Sequence, residues 1–133
     1  HEGCAPLARA FNRVASADDP MATLLLPDAT SDDGSAMWPW TDPTSVATGL
    51  LDDVVYDWRA LVNDMLLGPA PGGPVVATEA DLVEAHRLVW AHTEVAADPT
   101  GTGGLAGLLA ARRDGCIGAD ESIAILLTGV ERS

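Results

Sequence analysis

The chain has 133 residues, 47% of them hydrophobic, so it is long enough for one compact domain. Twenty acidic residues against seven basic ones give a net charge of −13. This balance argues against binding to nucleic acid or to an anionic membrane, because both need clustered positive charge. All seven basic residues are arginines. The chain therefore has no lysine with which to form a Schiff base.

The sequence also bears on compartment and metal binding. No apolar stretch approaches the length of a membrane span, and the beginning of the chain lacks the layout of a signal peptide. Cys4 and Cys116 are far apart and match no metal-binding or redox spacing. We therefore expect two reduced thiols, a cytoplasmic location, no membrane partner and no metal site.

The first third of the chain predicts one helix followed by loops. Apolar side chains recur at helical spacing over residues 4–14, and Pro6 is acceptable in the first turn of a helix. Residues 17–43 are rich in turn-forming aspartate, glycine and proline. We predict that residues 17–43 form a loop-rich insertion or a mobile lid.

The middle of the chain predicts two amphipathic helices with a short strand between them. Residues 54–66 have apolar side chains at helical period, and Gly68 ends that helix. Residues 74–77 are typical of a short buried strand. Thr78 then begins a helix with a capping box, because Asp81 follows three residues later. The inward face of this helix is predicted to carry Leu82, Ala85, Val89 and Trp90.

The last third predicts a helix and a final strand. Residues 98–113 form a helix with a glycine-laden first half, and Gly115 caps its end. Residues 122–128 are an apolar run without polar alternation, which is typical of a parallel strand covered on both faces. The element order predicts an α/β fold, in which residues 1–133 are a single portion of one domain. This portion would contribute to an open, mostly parallel sheet with flanking helices.

The glycine-rich helix start needs a physical explanation. Each glycine inside a helix costs about 1 kcal/mol relative to alanine. Either another element packs very closely against the backbone there, or a ligand approaches it. A dinucleotide fingerprint fits the spacing of Gly101, Gly103 and Ala106. The context argues against that fingerprint, because it should follow a strand and here a helix precedes it.

A threonine at the end of the final apolar run is a second candidate. Thr128 is followed by Gly129, at the point where the predicted strand ends. The carboxyl ends of strands in open α/β sheets are where ligands bind. The simpler alternative is a turn residue that satisfies the local backbone.

Three segments in order carry a resemblance to a known family. The segments are Glu2-Gly3-Cys4-Ala5-Pro6-Leu7, Asp98-Pro99-Thr100-Gly101 and Leu126-Leu127-Thr128-Gly129. Together they resemble the C-terminal half of fold-type II pyridoxal-phosphate enzymes, with threonine synthase closest and threonine and serine dehydratases next. The resemblance covers most of the chain outside residues 17–43. It implies a pyridoxal-phosphate-dependent lyase that converts O-phosphohomoserine to threonine and phosphate, or else a threonine/serine dehydratase-like deaminase.

The resemblance implies a cofactor-binding role for three residues. Thr128 stands where relatives place a hydroxyl that bonds the pyridine nitrogen, and Gly129 follows it. A neutral hydroxyl partner leaves that nitrogen unprotonated and makes the ring a weaker electron sink than an aspartate partner would. Asp98 stands where relatives usually have a glutamate, near the edge of the ring.

The resemblance also implies what lies elsewhere. In relatives the Schiff-base lysine, the glycine-rich phosphate loop and an asparagine facing the cofactor lie upstream. An upstream segment or a second chain would have to supply them, and the complete enzyme would be a homodimer that acts on an amino-acid substrate. Threonine synthases tend to follow the Thr-Gly pair with glycine and lysine, whereas this chain has Val130-Glu131-Arg132-Ser133. An alternative of another class is a non-catalytic acidic partner or regulatory module.

Overall fold

The structure is a computed structural model that describes residues 1–69 and 72–130. Within these residues the chain forms five α-helices and a 3-10 turn, Thr48–Leu50. Glu131 and the two residues after it, where the sequence departs from threonine synthases, lie outside the described residues. The helices are α1 (Pro6–Ala15), α2 (Pro20–Leu24), α3 (Trp58–Leu67), α4 (Glu79–His92) and α5 (Gly103–Arg113).

The chain contacts group into two compact units. The α1–α3 unit comprises Cys4–Pro43 and Asp52–Pro74. The α4–α5 unit comprises His1–Gly3, Thr44–Leu51 and Val75–Ser133.

The predicted α/β fold is wrong for the part of the chain that the structure describes, because those residues contain helices and no strand. Residues 74–77 and 122–128, both predicted as strands, are irregular chain. Leu126 in the second segment is 80% exposed, although the prediction placed it in a covered strand. A strand exists only when a neighbouring strand completes its hydrogen bonds, and an apolar run does not specify that neighbour.

Trp58 is the centre of the core of the α1–α3 unit. It is fully buried with Val14 of α1 and Val62 of α3, and its indole N–H donates to Asp28 Oδ1 at 2.9 Å. The hydrogen bond satisfies the one polar atom of a large side chain that otherwise gains stability from burial. Helix α1 confirms the prediction for residues 4–14. Helix α3 ends at Gly68 as predicted but begins at Trp58 rather than four residues earlier.

The segment predicted as an insertion or lid contributes to the same core. Residues 17–43 contain the short helix α2, and the side chains of Ala36 and Met37 are buried, with at most 1% of their surface exposed. Arg9 of α1 stacks its guanidinium 3.7 Å from the ring centroid of Trp38 and donates to the carbonyl oxygen of Trp38. Cation–π contact and hydrogen bonding therefore hold this part of the segment against α1.

The capping box predicted for α4 is confirmed. Thr78 Oγ1 accepts from the backbone N–H of Asp81 at 3.1 Å, and Asp81 Oδ2 accepts from the backbone N–H of Thr78 at 2.8 Å. Arg113, in the last turn of α5, donates to both carboxylate oxygens of Asp81 at 2.6 and 2.8 Å. These contacts lower the pKa of Asp81 to about 2, chiefly through the hydrogen bond from Arg113.

Helices α4 and α5 pack through small side chains. Leu82 and Ala85 of α4 are buried together with Ala106 and Ala110 of α5, and methyl side chains let two helices approach closely. Trp90, predicted to face inward, is instead 51% exposed, and its indole N–H donates to the carbonyl oxygen of residue 97 at 2.8 Å. None of the helices in the described part of the chain has the length and apolar character needed to cross a membrane.

Candidate functional site

The two segments that carry the proposed cofactor residues meet in the α4–α5 unit. The carboxylate of Asp98 accepts a hydrogen bond from the backbone N–H of Gly101 at 2.6 Å. The backbone N–H of Thr128 donates to the carbonyl oxygen of Gly101 at 3.4 Å. Two hydrogen bonds thus join Asp98 to Gly101 and Gly101 to Thr128. We call the contact between residues 98–101 and Thr128-Gly129 the Asp98–Gly129 junction.

Two glycines make this close approach possible. A Cβ atom on Gly129 would overlap Asp98 Oδ1 and would lie 2.8 Å from the backbone nitrogen of Gly101. A Cβ atom on Gly101 would lie 2.6 Å from the Cα atom of Gly129. Real Cβ atoms do not approach other heavy atoms so closely, so any side chain at either position would force the two segments apart.

The other glycines at the start of α5 are packed less tightly. A Cβ atom on Gly103 would lie 3.1 Å from Leu50, and one on Gly104 would make an ordinary contact with Ile125 at 3.5 Å. A Cβ atom on Gly107 would meet no described atom within 4 Å. Of the two sequence-based explanations for this glycine-rich start, close packing against another element therefore applies to Gly101 and, less strictly, to Gly103, whose neighbour is a flexible leucine side chain.

One contact at this end of α5 was not expected from the sequence. The backbone N–H of Gly49 donates to Thr100 Oγ1 at 3.0 Å, which brings the 3-10 turn to the residues before α5. The hydroxyl of Thr102, a fully buried residue, donates to the carbonyl oxygen of Pro99 at 3.1 Å. Thr100 belongs to the Asp98-Pro99-Thr100-Gly101 segment, but no motif or periodicity distinguishes Gly49, so the sequence offered no signal for their contact.

The three predicted cofactor residues differ in what they can still bind. Thr128 is exposed, and its hydroxyl makes no hydrogen bond within residues 1–69 and 72–130. A threonine hydroxyl can donate one hydrogen bond and accept others, so Thr128 keeps this capacity for a ligand. Asp98 already uses Oδ1 for the Gly101 amide. Gly129 offers only its backbone. The junction therefore presents one available side-chain hydroxyl beside closely packed main chain.

Cys4 does not provide a reactive thiol. Its side chain is buried, and Sγ donates to the carbonyl oxygen of Asp52 at 3.3 Å. Burial raises the pKa of the Cys4 thiol, which lowers the fraction of nucleophilic thiolate. Cys116 is exposed, and neither cysteine forms a disulfide. Among the described residues no group of three or more histidine, cysteine, aspartate or glutamate side chains could hold a metal ion.

A second polar cluster in the α4–α5 unit has a structural purpose. The carboxylate of Glu79 accepts from Ser45 Oγ at 3.0 and 3.2 Å, and from the backbone N–H of Val46. The N–H of Glu79 itself donates to Glu2 Oε1 at 2.9 Å. These bonds fix the first turn of α4 against neighbouring chain, and the serine hydroxyl is spent as a donor to a carboxylate. The cluster contains no activated nucleophile.

Comparison of the chain with protein-family models, with curated proteins and with solved structures found no match. A functional assignment therefore depends on the chemistry and geometry of the residues themselves.

Proposed function

We propose that this chain is the C-terminal portion of a pyridoxal-phosphate-dependent lyase of the threonine synthase type. The observation that carries the proposal is the Asp98–Gly129 junction. Two motifs that resemble the cofactor-facing parts of such enzymes are far apart in sequence, yet Gly101 and Thr128 are joined by a backbone hydrogen bond.

The residues at the junction fit one side of the cofactor. Thr128 would donate its hydroxyl hydrogen bond to the pyridine nitrogen, which is an acceptor when unprotonated. Gly101 and Gly129 pack against each other and against Asp98, so the ring would lie beside Thr128 and not on these two glycines. When bound, pyridoxal phosphate supplies an electron sink for negative charge that develops on the substrate.

The chain does not contain the parts that hold the other side of the cofactor. It has no lysine, and the covalent attachment of pyridoxal phosphate requires one. An upstream segment or a second chain would supply this lysine and the phosphate-binding loop. The substrate would be an amino acid, with O-phosphohomoserine converted to threonine and phosphate, and the complete enzyme would be a homodimer. A cytoplasmic location is part of the proposal, and the two free cysteines are consistent with a reducing compartment.

The proposal is tested with the polypeptide that contains this chain and its upstream segment. Purified protein with added pyridoxal phosphate should show a visible absorbance band of bound cofactor, and it should release phosphate from O-phosphohomoserine. Release of ammonia from threonine or serine without phosphate release would instead assign a dehydratase-like deaminase. A polypeptide that binds no pyridoxal phosphate would contradict both versions.

A non-catalytic acidic module is the second candidate. The observation that favours it is that each unit buries its own core, with Trp58 in one and Leu82 in the other. A module of this kind predicts that the 133-residue chain is soluble and unfolds cooperatively when produced alone. Aggregation, or a broad non-cooperative transition, would argue against it. Soluble, cooperative folding together with absence of cofactor binding in the longer polypeptide would favour it over the enzyme.

A further inference from the structure

We infer that the α1–α3 unit carries a docking groove for a basic amphipathic helix of a protein partner. The groove is an apolar cavity of about 170 Å³ among α1, α2 and α3, and we call it the α1–α3 groove. The inference goes beyond the proposed function and does not depend on pyridoxal phosphate, because the Asp98–Gly129 junction belongs to the other unit. The residues that line the groove include Val14, Met21, Leu24, Asn63, Leu66 and Leu67.

The groove combines a buried floor with an exposed apolar rim. Val14 and Leu24 are buried in the core of the unit, whereas Met21 is 47% exposed and Leu67 is 69% exposed. An empty cavity of about 150 Å³ is large enough to hold benzene. The α1–α3 groove therefore has room for one leucine or phenylalanine side chain of a partner, and Met21 and Leu67 can cover the apolar residues beside it.

The walls of the groove favour a helical partner. All three walls are helices, and the backbone N–H and C=O groups of a helix are largely bonded within it. An extended peptide would find no free strand edge there, so its own main chain would gain no partners. A helix satisfies its main chain internally and can place apolar side chains, three and four residues apart, into such a groove.

The charge beside the groove favours a basic partner. Among the described residues that line it, none is charged. Asp18 precedes Pro20 by two residues, and Asp64 lies one turn before Leu67 on α3. Both aspartates are exposed, and neither forms an ion pair within residues 1–69 and 72–130. The three arginines of the unit are engaged elsewhere, Arg9 with Trp38, Arg13 with Asp32 and Arg59 with Asp28.

The same charge argues against a second copy of this chain as the occupant. Each copy has a net charge of −13. Ten of the twenty acidic residues belong to the α1–α3 unit, which has only three arginines. Two such surfaces repel each other, and an anionic membrane is repelled for the same reason. Lysine or arginine side chains that flank an apolar anchor would instead meet carboxylates that no arginine compensates.

The first experiment titrates the 133-residue chain into a labelled synthetic peptide and follows fluorescence anisotropy. The peptide is an amphipathic helix of about 18 residues, or five turns, with leucines on one face and lysines on both sides of that face. It should bind, and the affinity should fall as salt is added. A peptide with glutamate in place of each lysine, and one of the same composition in scrambled order, should not bind. No binding of the lysine peptide, or equal binding of the glutamate peptide, would overturn the inference.

Substitutions at the rim locate the bound peptide. Leu67→Gln and Met21→Gln should each weaken binding of the lysine peptide about tenfold, because each removes apolar surface that the peptide would cover. Both positions are exposed, so the circular dichroism of the chain should not change. Leu126→Gln, at a leucine of the α4–α5 unit that is 80% exposed, is the matched control and should leave binding unchanged. Equal losses in all three variants, or none at the rim, would contradict the assignment.

The carboxylates are tested separately from the apolar rim. Asp18→Asn combined with Asp64→Asn should weaken binding of the lysine peptide about threefold at low salt and should reduce its salt dependence. Asp120→Asn, at an exposed aspartate of the α4–α5 unit, should change neither. An unaltered salt dependence in the double variant would show that the partner is not selected by charge and would overturn that part of the inference.

Three measurements test the other possible occupants. Sedimentation equilibrium should show no self-association that Leu67→Gln weakens, and phosphatidylcholine vesicles should not bind the chain. The longer polypeptide with its upstream segment should bind the lysine peptide as the 133-residue chain does. Self-association or vesicle binding that Leu67→Gln abolishes would assign the groove to a second copy or to a lipid surface. Loss of peptide binding in the longer polypeptide would assign it to the upstream segment, and each of these results would overturn the inference.

Discussion

Replacing Asp81 with asparagine should destabilise the α4–α5 unit by an amount that depends on pH. Asp81 accepts two hydrogen bonds from Arg113 and two from Thr78. Its side chain is 12% exposed, whereas that of Arg113 is 49% exposed. Asparagine has nearly the same shape and can still accept from the Thr78 N–H, so Asp81→Asn removes mainly the charge.

The pKa of Asp81 gives the size of the contribution that its charge makes to the free energy of unfolding. Its fall from 3.8 to about 2 corresponds to a little over 2 kcal/mol, at about 1.4 kcal/mol per pKa unit. Because Arg113 is half exposed, solvent screening reduces this to about 1 kcal/mol. The folded-state pKa is the lower one, so the carboxylate contributes fully above about pH 4. The contribution is lost as the pH falls through about 2.

Urea unfolding of the 133-residue chain, followed by far-ultraviolet circular dichroism, measures this difference. At pH 7 Asp81→Asn should lower the free energy of unfolding by about 1 kcal/mol. Near pH 2, where about half of the folded molecules have Asp81 protonated, the difference from the wild type should be much smaller. Arg113→Gln should destabilise the Asp81→Asn variant less than it destabilises the wild type, because the ion pair is already lost there. The double variant should therefore be less destabilised than the sum of the two single variants. Asp120→Asn, at an exposed position, should be neutral. A loss that persists unchanged at pH 2, or strict additivity, would refute the reasoning.

Three further predictions concern packing and reactivity. Gly107→Ala should stabilise the chain by about 0.5–1 kcal/mol, because a Cβ atom at this helical position meets open space. Gly101→Ala should destabilise the chain, because a Cβ atom there would overlap Gly129. If urea unfolding showed that both variants change the free energy of unfolding in the same direction, the packing of the junction would be contradicted. Trp58→Phe should cost about 2 kcal/mol through the lost indole hydrogen bond and the cavity, and a neutral result would show that this core is loose. Cys116 should react quickly with an aromatic disulfide reagent, whereas Cys4 should react only on unfolding, because Cys4 is buried and its pKa is raised. Rapid reaction of both thiols in the folded chain would contradict the burial of Cys4.

Local interactions explain what the sequence could predict of the fold. The capping box of α4 needs only Thr78 and Asp81, which are three residues apart, and the structure confirms it. Helix α1 follows from its apolar spacing in the same way. The start of α3 was misplaced because Val54 and Val55 are apolar at helical spacing but pack against the core as irregular chain. The apolar character of these two valines indicates that they pack against the core, and a residue can do so without being in a helix.

Contacts between distant residues explain what the sequence could not predict. Residues 122–128 have the composition of a buried strand, but no described segment pairs with them, and pairing is not encoded in the run itself. The contact of Gly49 with Thr100 involves a glycine that no sequence pattern singles out. For Asp98, the resemblance suggested the edge of the cofactor ring. The hydrogen bond to Gly101 depends on the backbone geometry of a turn, which a motif does not specify.

The central claim is that the Asp98–Gly129 junction forms one side of a pyridoxal-phosphate site. The most direct test is a cofactor titration of the polypeptide that joins this chain to its upstream segment, read as visible absorbance, with Thr128→Ala beside the wild type. The expected result is a saturable band in the wild type and a shifted or weakened band in Thr128→Ala. No band in the wild type, or identical titrations for the two proteins, would contradict the claim.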